Sequence, residues 1–163
     1  MSFDRLILIF ATGCGLGGLP WAPGTFGSLL GLPIAWWLHR YSFSQQLLAT
    51  VCLLGIAFFI CHQAALLLGG GDPSSIVADE YLIFPMVTLG FAMRRQPALL
   101  IVAFALFRFF DGTKPWPIGP IETIGQGVGI VLDDVMAALY AWVTLIIVRR
   151  LWLRLKANPP ERD

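Results

Sequence analysis

Apolar residues form five long runs along the chain, separated by short polar or glycine-rich segments. The two longest runs cover residues 46–68 and 130–148 and would measure about 34 and 28 Å as helices, enough to cross a bilayer core. Three further runs, at 25–39, 81–93 and 97–110, have about 13–15 residues each and fall short of a usual span of about 20 residues. The pattern therefore predicts helices throughout and no sheet.

We expect an all-α fold, a polytopic membrane helix bundle of about five embedded helices. The shorter runs are compatible with local bilayer thinning or with burial inside the bundle. Residues 3–18 are expected to add a short amphipathic helix at the interface or a re-entrant piece. No repeat or linker interrupts the chain, so residues 1–163 are expected to form a single membrane-embedded domain with a frayed tail at 158–163.

The composition supports a membrane protein. Hydrophobic residues make up 57% of the 163 residues and charged residues only 13%, whereas soluble domains usually have about 25% charged residues. This excludes a disordered chain and a free cytosolic globule. The formal net charge of +1 gives no indication of a nucleic-acid partner.

The charged residues are expected to separate into two ends of the bundle. If all five helices cross, Arg94, Arg95 and the basic cluster at 149–156 lie at one end. The opposite end then collects most acidic groups together with two cations: Asp72, Asp79, Glu80, Arg108, Asp111, Lys114, Glu122, Asp133 and Asp134. The acidic end is therefore where we expect chemistry.

The segment Pro-Gly-Thr-Phe-Gly-Ser at 23–28 is a glycine-rich turn that opens a helix. Free N–H groups and the helix dipole make such a start suitable for a phosphate, with hydroxyl help from Thr25 and Ser28. Taken alone, however, the segment is more typical of a helix cap and of close packing between helices.

Two pairs of adjacent carboxyl groups border apolar runs. Asp79 and Glu80 directly precede one run, and Asp133 and Asp134 lie inside another. An Asp near the centre of a membrane helix costs about 2.5–3.5 kcal/mol, so two adjacent ones require a cation. Carboxylate oxygens are the ligands that Mg²⁺ prefers. The glycine-rich segment 125–129 that precedes the second pair lacks the strand–turn–helix context of a dinucleotide site.

The segment Phe-Arg-Phe-Phe-Asp-Gly-Thr-Lys-Pro-Trp-Pro-Ile at 107–118 carries the strongest signal. Arg108 and Asp111 are three residues apart and share a helix face, and Lys114 follows just before Pro115 ends the helix. An ion-pair ladder is one interpretation. The other is a phosphate site, since Arg offers a planar fork and Lys a point charge. His62 lies near the end of a long apolar run. We expect it to contact residues of the site and not the substrate itself.

Taken together, these motifs resemble the phosphatidylglycerophosphatase A family over roughly residues 10–145. The resemblance is carried by Pro-Gly-Thr-x-Gly-Ser at 23–28, Cys-His-Gln at 61–63, Asp-Glu at 79–80, Phe-Arg-x-x-Asp-x-x-Lys-Pro-x-Pro-Ile at 107–118, and Gly-x-Gly followed by Asp-Asp at 133–134. It implies a multi-pass bacterial membrane enzyme that uses Mg²⁺ to remove the terminal phosphate of phosphatidylglycerophosphate.

The hypothesis assigns a role to each group. The expected catalytic residues are Asp79, Glu80, Asp111, Asp133 and Asp134, and all of these except Asp111 are expected to bind Mg²⁺. Asp111 is a further ligand or orients one. Arg108 and Lys114, with Thr25 and Ser28, are expected to hold the substrate phosphate. Two chemical steps stay open: attack by water, which we prefer, and an aspartyl-phosphate on Asp111.

A small ion-coupled transporter with an acidic cation site is the alternative function, although transporters tend to show internal repeats and more spans. For location, we expect the bacterial inner membrane with the active site at the cytoplasmic face, where the substrate is expected to form. The positive-inside rule points the other way, because it places Arg94, Arg95 and the basic cluster at 149–156 in the cytoplasm.

Overall fold

The computed structural model describes residues 2–71, 73–122 and 128–157, and this part of the chain is helical without strands. The predicted all-α fold is confirmed. The helices are α1 (Phe3–Ala11), α2 (Pro23–Leu38), α3 (Phe43–Leu67), α4 (Ala78–Ile83), α5 (Ala98–Thr113), α6 (Ile118–Glu122) and α7 (Val128–Ala157), with 3-10 turns at Leu16–Gly18 and Phe84–Thr88. Asp72, the glycines at 125 and 127, and the predicted frayed tail 158–163 lie outside the described residues.

Two helices of the described chain are long and apolar enough to cross a membrane. They are α3, with 25 residues, and the segment Val128–Leu155 of α7, with 28 residues. The helices α2 and α5 have 16 residues each, which corresponds to about 24 Å. The structure thus provides two candidate spans, fewer than the five embedded helices that the apolar runs predict.

The apolar run at 81–93 is not one continuous helix, which corrects the prediction. It begins within α4, continues through the 3-10 turn Phe84–Thr88, and leaves the helical path at Leu89. Pro85 lies in that turn, where its missing N–H and its ring disfavour further α-helix. Most of these side chains are buried, and α4 packs against α2, α3 and α7. The run is apolar because neighbouring helices surround it.

A stripe of glycines on α2 allows this close packing. A Cβ atom on Gly27 would lie 2.6 Å from the Cβ of Val77, and one on Gly31 would lie 2.6 Å from the Cβ of Phe84. Real Cβ atoms do not approach so closely, so only glycine permits this separation of α2 from α4. The packing interpretation of the Pro23–Ser28 segment is therefore correct for Gly27.

The predicted short N-terminal helix is present as α1. It buries Ile7 and Ala11 and exposes apolar side chains on its other face. Its last turn is joined to the start of α4, because the Val77 N–H donates to the carbonyl of Ala11 (2.8 Å) and the Tyr81 hydroxyl donates to the carbonyl of Phe10 (2.8 Å). These bonds hold the entry of α4 in place.

The structure places the predicted acidic site, with Arg108 and Lys114, at one end and Arg94 and Arg95 at the other, as the charge pattern predicts. The acids lie where α2, α4 and α7 begin and α5 ends. His39, Arg94 and Arg95 line a shared pocket at the other end. Along α7, Asp133 and Arg149 are separated by about 24 Å.

Candidate active site

A cavity of about 330 Å³ opens at the acidic end, where four helix termini meet. Seven of the predicted site residues line it: Asp79, Glu80, Arg108, Asp111, Lys114, Asp133 and Asp134. The remainder of its wall is formed by Ala22, Pro23, Gly24, Ser74, Ile76, Gly112 and Ile130. Residues more than a hundred positions apart in the chain thus surround one space.

Arg108 is the centre of a polar network on one side of the cavity. Its Nη1 atom lies 3.2 Å from Oε2 of Glu80 and also contacts Oδ2 of Asp111. The Ser28 hydroxyl donates to Oε2 of Glu80 (2.8 Å) and accepts from Nη1 of Arg108 (3.3 Å). The prediction that Arg108 and Asp111 share a face is confirmed. The guanidinium is oriented by its partners before any ligand arrives.

Glu80 is held in a partly buried setting by this network. Burial raises the pKa of Glu80 to about 7, and the neighbouring Arg108 charge and the hydrogen bond from Ser28 oppose that rise. Its carboxylate also depends on Gly24, because a Cβ atom there would lie 2.1 Å from Oε1 of Glu80. The glycine at the start of α2 therefore makes room for the Glu80–Arg108 pair.

Lys114 forms the second polar connection. It ends α5 in a left-handed conformation, with φ of 41°, and its Nζ lies 3.0 Å from Oδ2 of Asp133. The other Asp133 oxygen accepts the backbone N–H of Asp134 (3.0 Å). This ion pair ties the end of α5 to the first turns of α7.

Asp134 lies deepest in the site. Its relative exposure is 2%, and its Oδ2 atom has no hydrogen-bond partner within the described part of the chain. An ionised carboxylate that is buried without a partner is costly. A cation beside Asp134 would remove that cost. The burial of this Oδ2 atom is therefore the first observation that fits a metal ion.

The charge balance of the cavity is the second such observation. Five carboxyl groups and two cations line it, so three negative charges are in excess when all are ionised. A phosphate dianion would be repelled by this excess. The donors are the hard oxygen ligands that Mg²⁺ takes. Within residues 2–71, 73–122 and 128–157, no three His, Cys, Asp or Glu side chains lie close enough together to hold one metal ion. The donors thus fit Mg²⁺ in chemistry and charge, while the ligand geometry is not preformed.

Three predicted residues do not line the cavity. Ser28 is hydrogen-bonded to Glu80 and Arg108, which do line it. Thr25 lies in the first turn of α2, where its backbone N–H donates to the carbonyl of Ala22 (3.0 Å). His62 lies on α3 and is half-buried.

Sequence reasoning missed Ser74, Ile76 and Ile130. Ser74 lies in the loop that follows the glycines 69–71, and a hydroxyl so near the acidic pair was a usable signal. Ile76 and Ile130 carry no chemical signal of their own.

The chain is similar in sequence to proteins that are already known. A family model described as Phosphatidylglycerophosphatase A matches residues 9–149. The chain is 35% identical over 147 residues to phosphatidylglycerophosphatase A of Escherichia coli (strain K12), covering 88% of this chain and 84% of that protein. The corresponding protein of Haemophilus influenzae is 35% identical over 155 residues, 91% and 92% of the two chains.

A further relative carries a different name. The putative phosphatidylinositol-3-phosphatase of Bacteroides thetaiotaomicron is 35% identical over 156 residues, covering 88% of this chain and 94% of that protein. No solved structure matches the chain.

Proposed function

Because this chain belongs to the phosphatidylglycerophosphatase A family, and is therefore a phosphatase of that type, we propose that it hydrolyses the phosphate monoester of phosphatidylglycerophosphate in a Mg²⁺-dependent reaction. The products are phosphatidylglycerol and inorganic phosphate. The observation that supports this proposal most is the cavity in which Arg108 and Lys114 are surrounded by five carboxyl groups. The family leaves the transporter alternative without support.

A lipid substrate accounts for the surface around the cavity. Trp21 and Trp116 are 81% and 82% exposed. Trp21 directly precedes Ala22, and Trp116 lies two residues after Lys114. Tryptophan is enriched at membrane interfaces, where one part of the ring is in apolar surroundings and the N–H is hydrated. Phe26 on α2 is also exposed. A lipid headgroup in the cavity would thus leave its acyl chains beside apolar side chains.

We further propose that the protein is a multi-pass protein of the bacterial inner membrane, with the cavity at the cytoplasmic face. The relatives named above are bacterial, and α3 and α7 are long and apolar enough to span. The cytoplasmic assignment rests on where the substrate is expected to form, and it places Arg94 and Arg95 on the outer side against the positive-inside rule.

In this proposal the two cations bind the phosphoryl group. Arg108 would present its fork to two phosphoryl oxygens, and Lys114 would add a point charge from the end of α5. Bound Mg²⁺, held by Asp79, Glu80, Asp133 and Asp134 with Asp111 as a further or orienting ligand, would neutralise the excess negative charge and polarise the phosphoryl oxygens. Gly24 leaves room beside it for the Glu80 carboxylate and the Arg108 guanidinium.

The chemical step that we propose is attack by water. The water oxygen bonds to phosphorus, the bond from phosphorus to the glycerol oxygen breaks, and one water proton ends on the released hydroxyl. Asp111 is the alternative nucleophile, but its Oδ2 atom contacts Arg108, an arrangement that suits an orienting residue better. Quenching a single turnover distinguishes the two, because a phospho-enzyme trapped on Asp111 would show an aspartyl-phosphate.

The experiment that tests the function measures inorganic phosphate released by the purified protein in detergent. Phosphatidylglycerophosphate and phosphatidylinositol 3-phosphate are supplied separately, each with Mg²⁺ or with EDTA. We expect turnover of the first lipid with Mg²⁺ only, loss of it in Arg108→Ala, and normal turnover in Arg95→Ala, which removes the same charge at the other end. Faster release from the inositol lipid would assign the substrate named for the Bacteroides relative, and turnover in EDTA would refute the Mg²⁺ dependence.

A further inference from the structure

A second groove lies at the basic end, far from the acidic cavity. It has a volume of about 220 Å³ and is formed where the start of α5 faces the C-terminal half of α7. Its lining side chains are apolar except for two: Ala98, Leu99, Val102, Val148 and Trp152, with Gln96 and Arg149. None of these residues takes part in the site described above, so the groove needs a separate explanation.

The two polar residues of the groove have atoms that nothing in the described chain satisfies. Nε of Arg149 and Oε1 of Gln96 are both buried and have no hydrogen-bond partner among the described residues. The Arg149 guanidinium carbon lies 5.7 Å from the centre of the Phe91 ring, which fixes its position at the edge of the groove. Buried polar atoms are normally paired. A ligand with a polar group and an apolar portion would satisfy these atoms and fill the groove.

The charge around the groove determines the sign of that polar group. The neighbouring pockets at this end include His39, Arg94, Arg95 and Arg150, and no Asp or Glu is among the described residues that line them or the groove. An anionic group is therefore favoured. Trp152 and Arg149 also place an interfacial aromatic ring and a cation next to each other, as in sites for lipid headgroups.

We propose that this groove binds one acyl chain of an anionic phospholipid, with the lipid phosphate on Arg149. The apolar wall takes the chain, Nε of Arg149 donates to a phosphate oxygen, and Oε1 of Gln96 accepts from a headgroup donor such as a glycerol hydroxyl. The acidic cavity lies about 24 Å away along α7, so the bound lipid is not the substrate in its reaction position. The inference does not depend on the phosphatase chemistry.

Trp152 is a built-in reporter of this lipid. In a chain whose other five tryptophans are replaced by Phe, we would measure quenching of Trp152 fluorescence by dibrominated phosphatidylglycerol and by dibrominated phosphatidylcholine, each at a low mole fraction in vesicles of unlabelled phosphatidylcholine. We expect the anionic lipid to quench at a mole fraction at least tenfold lower than the zwitterionic lipid. Hydrogen bonds to charged groups are strong enough for that difference.

Arg149→Gln is expected to abolish the preference for the anionic lipid, and Arg150→Gln is the matched control. Arg150→Gln removes the same charge at the adjacent position, but Arg150 does not line the groove. Val102→Phe, which fills the groove, is expected to reduce quenching by both lipids. If Trp142→Phe prevents folding because Trp142 donates to the carbonyl of Leu89, a chain that keeps Trp142 is compared with its Trp152→Phe counterpart.

Equal quenching by both lipids would overturn the proposal, since the groove would then be ordinary lipid-facing surface. Equal effects of Arg149→Gln and Arg150→Gln would also overturn it, because general surface attraction would then explain the preference. Absence of quenching by either lipid would show that no acyl chain enters the groove.

Discussion

Gly24→Ala is the substitution that separates the role of the cavity from the stability of the fold. The added Cβ would lie 2.1 Å from Oε1 of Glu80 and 2.9 Å from Nη2 of Arg108. Both atoms are at the ends of flexible side chains, so the side chains can move while the backbone of α2 stays in place. Alanine is also a better helix residue than glycine by up to about 1 kcal/mol. We therefore expect the free energy of unfolding to be unchanged or slightly raised.

The effect on activity follows from the displacement. Ordinary contact for a Cβ atom begins near 3.4 Å, so the Glu80 carboxylate must retreat by about 1.3 Å from its present position. Misplacement of about 1 Å in an active site can lower the rate about 100-fold, which corresponds to about 2.7 kcal/mol of transition-state stabilisation. We expect kcat/KM for phosphate release to fall by that order, with thermal unfolding of the variant measured in parallel.

Two matched substitutions complete this test. Gly31→Ala brings a Cβ to 2.6 Å from the Cβ of Phe84, where only backbone movement relieves the clash, so it should lower the unfolding free energy by about 1–3 kcal/mol. Gly55→Ala, inside α3, meets nothing within 4 Å and should leave activity intact and stability unchanged or slightly raised. If Gly24→Ala keeps kcat/KM within twofold of the unsubstituted chain, the Glu80–Arg108 pair is not part of the working site.

Three further predictions concern the phosphate, the lipid and the orientation. Arg108→Lys should lower kcat/KM by roughly 100-fold, since lysine keeps the charge but loses the fork; normal kinetics would leave Arg108 a purely structural residue. Replacing Trp21 and Trp116 by Ala should raise KM for substrate in vesicles about tenfold and leave hydrolysis of a short-chain soluble analogue unchanged; an equal loss on both substrates would exclude interfacial anchoring. In a cysteine-free chain, a membrane-impermeant maleimide applied to intact cells should label Arg95→Cys and not Ser74→Cys, and the reverse result would place the cavity outside.

The sequence predicted the polar part of this site better than its helices. Arg108 and Asp111 could be paired from their spacing, because residues three apart share a helix face. Asp133 and Asp134 were identified because charges in an apolar helix are expensive unless they are used. Their convergence on Asp79 and Glu80 followed from the alternation of the loops. The first two predictions needed only local geometry and charge, whereas the convergence assumed that all five apolar runs cross.

The remainder depends on tertiary packing, which the pattern does not contain. The run at 81–93 has the hydropathy of a spanning helix, because hydropathy reports burial and does not distinguish lipid from surrounding protein. Pro85 and Gly90 were the local signs of the break. Ser74 reaches the cavity through the path of a loop, and Gly24 matters because of what α4 places opposite it. Thr25 was a reasonable candidate by type, yet it does not line the cavity.

The central claim is that the acidic cavity accepts a phosphate dianion only together with a divalent cation. The most direct test is calorimetric binding of inorganic phosphate, the proposed product, to the purified protein in detergent, with Mg²⁺ or with EDTA, and with Arg108→Ala as the control for binding through the cavity. The account predicts binding with Mg²⁺ that is at least about 100-fold tighter than in EDTA, because the carboxylates of the cavity otherwise outnumber its two cations and repel the ligand. Equal affinity with and without Mg²⁺ would contradict it.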